Sequence, residues 1–459
     1  MHFERFYDDD LAQATYAVAC EQTKRVLIVD PLRDFDRYLD WAQGQGYAIG
    51  HVAETHIHAD FLSGARQLAR ATGAELLLSG ETDEGDAYRG LGKLRHRALR
   101  HRDTFEVGTL RLQALHTPGH SPEHLCFSVL DDDGADRIVL TGDFLFVDEL
   151  GRPDVVDDGA DLAHQMYAAL RRFVEHTSPF AVVWPGHGAG SACGKSIGRA
   201  PMTSVGREAH HAWWARYIDG GDEEGFVRTL LEGQPEVPRY FERMKKLNRD
   251  GTSSHAPLEL PARLTPREFA ERLPEALVID TRDKEDFAHG HVEGAWNVAL
   301  SHLSTYGGGA IPDDAPLTLV CPERDVEDAT RRLLRVGLHV VGWTPFAPSD
   351  VDSIQTPIVD ADETHAAQAH EASILDVRTA DEFEEGHLPF AHHIPFDQVL
   401  DRVDELDPQA RWIVHCSAGS RAMLAASILE SNDFEDVSVF LDGPSGWTAA
   451  GYRLEREQQ

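Results

Sequence analysis

The sequence predicts a multidomain protein of mixed α/β and α+β class. Three observations support this: the chain length, an internal repeat in the C-terminal half, and a first half with a different pattern. The chain has 459 residues, more than one domain usually contains. Hydrophobic residues make up 42% of it, which is enough for several cores. We therefore expect three domains.

Two stretches of the C-terminal half match almost residue for residue. ALVIDTRDKEDFAHGHVEGAWNV (276–298) pairs with ASILDVRTADEFEEGHLPFAHHI (372–394). Each copy starts with a short apolar strand, a polar D-x-R turn and a short helix, and a later strand runs into Cys321 or Cys416. Strands that alternate with helices predict a parallel sheet covered on both faces. A further helix is predicted over 421–430.

The first 250 residues have another pattern. Two stretches, 64–73 and 162–176, have the apolar spacing of amphipathic helices. Apolar stretches that enter polar loops predict strands at 26–30, 51–56, 75–80, 110–120, 124–131, 137–143 and 180–187. We place a first domain at 1–250 and the two repeat domains at 258–345 and 355–459.

Composition excludes several classes of function. The formal net charge is −35, so binding of nucleic acid or of anionic membranes through bulk electrostatics is not expected. Five cysteines are too few for a disulfide scaffold, and no C-x-x-C is present. No apolar run is long enough to span a bilayer, and the start lacks the apolar core of a signal peptide. We expect a cytoplasmic protein.

Metal-binding residue types stand where predicted strands end. Because such strand ends converge at one edge of a sheet, their side chains are expected to meet there. Imidazole and carboxylate donors suit Zn, Fe or Mn, and the lack of thiolates argues against a structural zinc site. The candidates are His56, His58 and Asp60 in THIHAD, His120 in HTPGH, Asp143 in LTGD and His187 in WPGH.

The order H-x-H-x-D, TPGH, TGD, PGH resembles the metallo-β-lactamase fold, and within it the branch of glyoxalase II and the persulfide dioxygenases. The resemblance covers about residues 1–250 and implies an αββα sandwich. In the dinuclear hydrolases of that fold a further His follows the Asp, but here the position holds Phe61. The loss of that ligand favours one metal over two.

The resemblance also implies a ligand set. Persulfide dioxygenases of this fold bind one Fe(II) through two His and one carboxylate, which correspond here to His56, His120 and Asp143. His58, Asp60 and His187 would then orient the ligands, or serve as alternative ligands. Zn is the alternative metal, because these donors bind both ions.

The stretch HCSAGSRA (415–422) places Cys416 at the end of a strand, before a loop of small residues and a helix. Backbone N–H groups of such a loop and the helix N-terminus favour a thiolate. Arg421 would add positive charge and bind an anionic substrate. Cys-x5-Arg phosphatases are the rival, but this loop is one residue shorter. With D-x-R and LDGPSGW (441–447), the region 355–459 resembles rhodanese, a sulfurtransferase.

The first repeat departs from that pattern. Its loop reads CPERDVED, with Val326 where the second copy has Arg421. Pro322 lacks a backbone donor, and Glu323 brings negative charge close to Cys321. We interpret 258–345 as a rhodanese-like domain that has lost catalysis.

Three cations are candidates to bind substrate. LGRPDV (150–155) resembles an element of persulfide dioxygenases, and GHGAGSACGKSIG (186–198) resembles the version fused to rhodanese domains. Arg152, Lys195 and Arg199 lie in or beside these stretches. For Arg152 a structural ion pair with Asp154 is favoured instead, and for the other two an ordinary surface cation is the alternative.

The resemblances together imply a non-haem Fe(II) persulfide dioxygenase, with one iron per chain, coupled to rhodanese. It would oxidise a small thiol persulfide, such as glutathione persulfide, with O2 to sulfite and transfer sulfur to or from thiosulfate. The alternative is a glyoxalase II-like Zn thioester hydrolase fused to a sulfurtransferase. A third hypothesis is a non-catalytic sulfur carrier. We expect a homo-oligomer.

Overall fold

The computed structural model describes residues 1–81, 87–155, 159–252, 258–345 and 352–456. The chain divides into two compact units, Met1–Leu258 (unit 1) and Glu259–Gln459 (unit 2). The predicted boundary between the repeat domains falls partly on residues outside the described ranges. The three-domain boundaries therefore stay a prediction.

Two six-stranded sheets form the centre of unit 1. In the first sheet the strands follow chain order, and β3 to β6 run parallel. In the second sheet the order is β12-β11-β10-β9-β8-β7, with β10 and β11 parallel. The strands are β1 His2–Asp8, β2 Gln13–Cys20, β3 Arg25–Val29, β4 Ala48–Ala53, β5 Glu75–Ser79, β6 His96–Leu99, β7 Thr104–Val107, β8 Leu110–His116, β9 Leu125–Leu130, β10 Asp136–Gly142, β11 Val182–Pro185 and β12 Thr203–Ser204.

Helices cover the outer faces of both sheets. Leu27, Leu77, Phe127 and Leu140 belong to the core that the two sheets share. Further cores lie between the first sheet and α1 and α2, and between the second sheet and the other helices. The helices are α1 Asp36–Gly44, α2 Ala65–Thr72, α3 Ala160–His176, α4 Val205–His211, α5 Ala215–Gly220, α6 Glu223–Leu231 and α7 Tyr240–Asp250. This is the αββα sandwich that the motifs predicted.

Unit 2 contains two similar halves, each with a four-stranded parallel sheet. The orders are β15-β13-β16-β17 and β20-β19-β21-β22, and β14 pairs with β18. The elements of the first repeat are α8 Pro266–Arg272, β13 Leu277–Asp280, α9 Lys284–His289, β14 His291–Val292, β15 Trp296–Asn297, α10 Thr305–Ala310, β16 Pro316–Val320, α11 Val326–Arg335, β17 His339–Thr344 and β18 Ser353–Ile354. Those of the second are α12 Ala361–Gln368, β19 Ser373–Asp376, α13 Ala380–Glu385, β20 His392–His393, β21 Trp412–His415, α14 Ser420–Glu430, β22 Val437–Phe440 and α15 Gly443–Ala449.

Helix α14 packs against both halves of unit 2. Its residues 422–429 are all buried, on the side of its own sheet and on the side of the first repeat. The indole Nε1 of Trp296 donates to Ser431 Oγ at 2.8 Å, and the backbone N of Asn297 donates to Ser427 Oγ at 3.1 Å. The helix that follows the Cys416 loop is therefore fixed by the first repeat.

The predicted helices over 64–73, 162–176 and 421–430 are confirmed as α2, α3 and α14. The predicted strand over 110–120 ends earlier, at His116, because Thr117-Pro118-Gly119 turns the chain. Gly119 has φ of 146°, and a Cβ there would lie 2.5 Å from that of Met166. Of the described helices, none has the length and apolar character needed to cross a membrane.

Candidate metal centre and sulfur-transfer loop

Three of the predicted ligands meet at one edge of the sandwich of unit 1. His56 follows β4, His120 follows β8 and Asp143 directly follows β10. All three are buried, and one donor atom from each lies within 4.8 Å of the others. The structure thus brings together the two His and the carboxylate that were singled out as ligands.

Three polar atoms of this set face its other members without a hydrogen-bond partner. Asp143 Oδ2 lies 3.7 Å from His120 Nε2 and 4.0 Å from His56 Nε2. Among the described residues, His56 Nε2 and both carboxylate oxygens of Asp143 lack a hydrogen bond. Buried polar atoms without partners are costly unless something binds them. The set therefore fits a metal ion.

The outer nitrogens of the two imidazoles are held by the protein. His120 Nδ1 donates to the carbonyl oxygen of Arg152 at 2.9 Å, which leaves the lone pair on Nε2. His56 Nδ1 lies 2.9 Å from Thr55 Oγ1. The backbone N of Asp143 donates to His124 Nε2 at 3.1 Å, a contact that the sequence motifs do not mark.

Electrostatics keep both imidazoles neutral. Burial and the neighbouring histidines hold the pKa of His56 well below its usual range. Burial also lowers the pKa of His120, although Asp143 opposes this. A neutral imidazole has the lone pair that a metal requires.

His58 differs from the other histidines. Its Nε2 lies 3.0 Å from Asp30 Oδ1, and its ring packs on Phe61 with 4.3 Å between centroids. Burial alone would lower the pKa of His58, but Asp30 raises it to about 9. An imidazolium has no free lone pair. Of its two predicted roles, orientation of the site is the one that this geometry favours.

Asp60 and His187 form a second set beside the first, with Cys193. His187 Nε2 lies 3.2 Å from Asp60 Oδ2 and 3.5 Å from Asp143 Oδ2. Donor atoms of Asp60, His187 and Cys193 lie within 4.8 Å of one another. Burial raises the pKa of the Cys193 thiol to about 12. Both predicted roles of Asp60 and His187, orientation and alternative ligation, are compatible with these positions.

A residue that the sequence analysis missed fixes the ligand loop. Asn248 Nδ2 donates to the carbonyl oxygens of His58 at 2.8 Å and Phe61 at 2.7 Å. Its Oδ1 accepts from the backbone N of Ser63 at 2.9 Å. Asn248 lies on α7, nearly two hundred residues further along the chain, and no motif surrounds it.

Two of the three predicted substrate cations have structural roles. Arg152 is fully buried, pairs with both oxygens of Asp154 at 2.8 Å and donates to main-chain carbonyls. Lys195 Nζ donates to the carbonyl oxygens of Thr229 and Glu232 at the end of α6. The structural ion pair favoured for Arg152 is confirmed. Substrate binding by Lys195 stays a prediction, although main-chain carbonyls accept its hydrogen bonds. Arg199 is exposed, and its role stays a prediction.

The Cys416 loop in unit 2 curls around the sulfur. The backbone N of Gly419 donates to Cys416 Sγ at 3.1 Å, and Gly419 has φ of 87°. Ser417 is exposed, so the loop reaches the surface. Backbone donors of this kind stabilise a thiolate or a sulfane sulfur.

Arg421 does not present a free cation. Its guanidinium donates to both oxygens of Glu382 at 2.6 and 2.8 Å. Ser417 Oγ also donates to Glu382, at 2.6 Å. The charge of Arg421 is thus compensated by Glu382, and the predicted binding of an anionic substrate by Arg421 stays a prediction. Glu382 lies in the repeat, at the position that Asp286 has in the first copy, and this shared acidic residue was the signal available in the sequence.

The first repeat lacks this arrangement. Cys321 is fully buried, and burial raises the pKa of its thiol to about 11. Val326, at the position of Arg421, begins α11 and is buried. This agrees with a copy that has lost catalysis.

Comparison with known proteins assigns the family. The Metallo-beta-lactamase superfamily model matches residues 8–187, and the Rhodanese-like domain model matches 265–341 and 360–450. A metallo-beta-lactamase from Staphylococcus aureus is 34% identical, with a TM-score of 0.66, and covers 75% of this chain and 99% of its own. The chain belongs to the metallo-beta-lactamase superfamily. Its C-terminal half consists of rhodanese-like domains.

Other relatives of this metallo-beta-lactamase superfamily member cover less of the chain. A hydroxyacylglutathione hydrolase from Polaromonas sp. is 31% identical over 173 residues, which are 38% of this chain. The chain spans 60% of the length of that relative. ETHE1 from Myxococcus xanthus is 26% identical, over 54% of this chain and 98% of its own, with a TM-score of 0.45.

Proposed function

We propose that unit 1 is a mononuclear persulfide dioxygenase. The observation that carries this proposal is the buried set of His56, His120 and Asp143, whose donor atoms lie within 4.8 Å of one another, with the apolar Phe61 at the position of the further His of the dinuclear hydrolases. Two His and one carboxylate with open positions are typical of non-haem Fe(II) oxygenases. We assign one Fe(II) per chain to this set.

Ferrous iron held there would supply redox chemistry with O2 and open coordination positions for a sulfur anion. The protein supplies orientation and a dry site. Arg152 O and Thr55 Oγ1 orient the imidazoles, and buried Phe61 and Phe146 limit access of water. The negative charge of Asp143 would compensate the positive charge of the ferrous ion.

The substrate is a small thiol persulfide, such as glutathione persulfide. One persulfide, one O2 and one water give one thiol and one sulfite, with release of two protons. The outer sulfur is oxidised and O2 is reduced. Arg199, exposed beside the loop that carries Cys193, is a predicted cation for a substrate carboxylate.

Cys416 would perform the second reaction. Its thiolate would attack the outer sulfur of the thiol persulfide, whose S–S bond breaks and whose thiol leaves as a thiolate. Cys416 then carries the outer sulfur as a persulfide, stabilised by the N–H of Gly419. The lone pair of sulfite attacks the outer sulfur, the S–S bond breaks, and its electron pair returns to Cys416 as thiolate. Thiosulfate leaves. The reverse direction would use thiosulfate as the donor.

The setting of these reactions is also a proposal. We place the protein in the cytoplasm as a homo-oligomer whose partners are the thiol persulfide, O2 and sulfite or thiosulfate. Nucleic acid and membranes are not among them, because the net charge of −35 repels both.

The test is anaerobic purification, followed by metal quantitation and O2 uptake with glutathione persulfide on one sample. We expect about one iron per chain and persulfide-dependent O2 uptake that yields sulfite. Zinc without O2 uptake, even after reconstitution with Fe(II), would refute the dioxygenase.

A Zn thioester hydrolase like glyoxalase II is the second candidate. The similarity to a hydroxyacylglutathione hydrolase, 31% identical over 173 residues, favours it. Hydrolysis of lactoylglutathione by a Zn-loaded sample, in the absence of O2 uptake, would decide for this candidate.

A further inference from the structure

The charge of Arg421 is compensated by Glu382. The Cys416 loop therefore needs another cation to bind its anionic substrate. Glu382 takes both terminal nitrogens of Arg421, so this pair is neutral. Sulfite and thiosulfate are dianions, and a site that binds them needs positive charge close to the sulfur. In the same repeat, Arg378 is buried and paired with Asp376 in the D-x-R turn.

A cation from the first repeat lies on the loop itself. A Cβ built on Gly419 would lie 2.9 Å from Cε and 3.0 Å from Cδ of Lys284. The stem of Lys284 therefore packs on the residue whose N–H donates to Cys416 Sγ. Lys284 begins α9, which contacts α14. Its side chain is 25% exposed, so solvent reaches part of it.

The two repeats differ at this position. The residue of the second copy that matches Lys284 is Ala380, and lysine occurs only six times in the whole chain. Among the described residues, Glu285 is the carboxylate paired with Lys284: its Oε1 lies 3.1 Å from Nζ, and its side chain is 51% exposed. An exposed neighbour of this kind is a weak competitor for a dianion.

We propose that Lys284 of the first repeat binds the sulfur oxyanion that exchanges sulfur with Cys416 of the second repeat. This rests on the proposed sulfurtransferase function and names its specificity-determining residue. The repeat that has lost its own chemistry thereby completes the site of the other copy. Sulfite would approach the outer sulfur of the Cys416 persulfide with its oxygens toward Lys284 Nζ.

The first experiment measures charge at Cys416 without requiring sulfur transfer. Reduced protein reacts with iodoacetate, an anion, or with iodoacetamide, which is neutral, and the rate at Cys416 is followed by peptide mass spectrometry. In Lys284→Met the ratio of the iodoacetate rate to the iodoacetamide rate should fall about three- to tenfold, because a cation favours only the anionic reagent. Any change in thiolate content cancels in the ratio.

Variants of the neighbourhood separate charge from packing. Lys284→Arg should keep the ratio, and Glu285→Gln, which leaves Lys284 in place, should raise it. Arg324→Met removes one positive charge from an 83% exposed site of the same repeat as Lys284 and should leave the ratio of the two rates unchanged. If Lys284→Met does not fold, Glu285→Gln still tests the proposal. An unchanged ratio in both variants would overturn it.

Kinetics then connect the residue with the reaction. In thiosulfate formation from sulfite, Lys284→Met should raise KM for sulfite about tenfold and change kcat little, since the cation binds the acceptor. Failure of the wild-type protein to form thiosulfate, together with a normal alkylation response, would refute the sulfurtransferase and leave the anion site. Normal KM in Lys284→Met would refute the role of Lys284 alone.

Discussion

The ring of Phe61 packs on the imidazole of His58, with 4.3 Å between centroids and an angle of 31°. On its other side, His58 faces the carboxylate of Asp30 at 3.0 Å. The ring of His58 also lies 4.2 Å from that of His56, so Phe61 and Asp30 fix this imidazole beside the ligand set. Phe61, at the position where related dinuclear hydrolases have a ligand, is thus part of the packing around the metal site.

Phe61→His should increase the number of metal ions that unit 1 binds. The new imidazole would stand beside Asp60 and His187, which already face each other at 3.2 Å. We expect titration with Co(II) to rise from about one toward two ions per chain, since three or four such donors suffice for a second ion. Phe61→Leu, which keeps an apolar side chain, is the control. A titration that stays at one ion would contradict this account of Phe61.

Removal of a ligand should empty the first site. We expect His120→Ala and Asp143→Ala to bind metal at least about a hundredfold more weakly, because each removes a direct donor from a three-donor set. Metal content after dialysis against a competing chelator measures this. His210→Ala, at an exposed His of α4, is the matched control. Retention of metal by Asp143→Ala would show that another carboxylate binds it.

The sequence predicted the edge at which the ligands meet, because His or Asp follows β4, β8, β10 and β11. It did not predict β1 and β2, which open the first sheet, since their apolar and polar residues mix. The clean apolar runs of the central strands are typical of buried parallel strands. Burial alone did not decide the outcome, because all eight residues of β2 are buried and that strand was missed.

Side-chain partners across long separations could not be predicted. Asp30 ends the strand VLIVD and had the same strand-end signal as the ligands, but nothing in the sequence links it to His58. The contact of Lys284 with Gly419 joins two repeats and is 135 positions apart in the chain. Lys195 was singled out by motif, yet the carbonyl oxygens of Thr229 and Glu232, 34 and 37 positions further along the chain, accept its hydrogen bonds. Pairing of charges depends on tertiary packing, which a motif does not specify.

Glu382→Gln should make the free energy of unfolding of unit 2 less dependent on pH in the acid range. Burial raises the pKa of Glu382, but hydrogen bonds from Arg421 and Ser417 outweigh it and lower the pKa from 4.5 to about 2. The carboxylate therefore stabilises the fold above pH 4.5, and this contribution is lost as pH falls toward 2. At neutral pH we expect a loss of about 1 kcal/mol, since the pair is partly exposed.

Denaturant unfolding of both proteins at several pH values between neutral and strongly acid measures this difference. The gap in free energy of unfolding between wild type and Glu382→Gln should narrow steadily as the carboxylate is protonated. Glu384→Gln, at an exposed site of the same helix α13, is a control for charge alone. A gap that stays constant with pH would mean that Glu382 acts through packing rather than through its charge.

Serine substitutions at the two repeat cysteines should separate the activities of the chain. Cys416→Ser removes the only nucleophile that the described loop presents to Gly419 N, so thiosulfate formation should fall to background while O2 uptake persists. Cys321→Ser should preserve both activities, because that thiol is fully buried and its pKa is raised to about 11. O2 electrode traces and thiosulfate quantitation on the same samples give both readings. Loss of O2 uptake in Cys416→Ser would show that the two reactions are not independent, and loss of thiosulfate formation in Cys321→Ser would show that the first repeat retains chemistry.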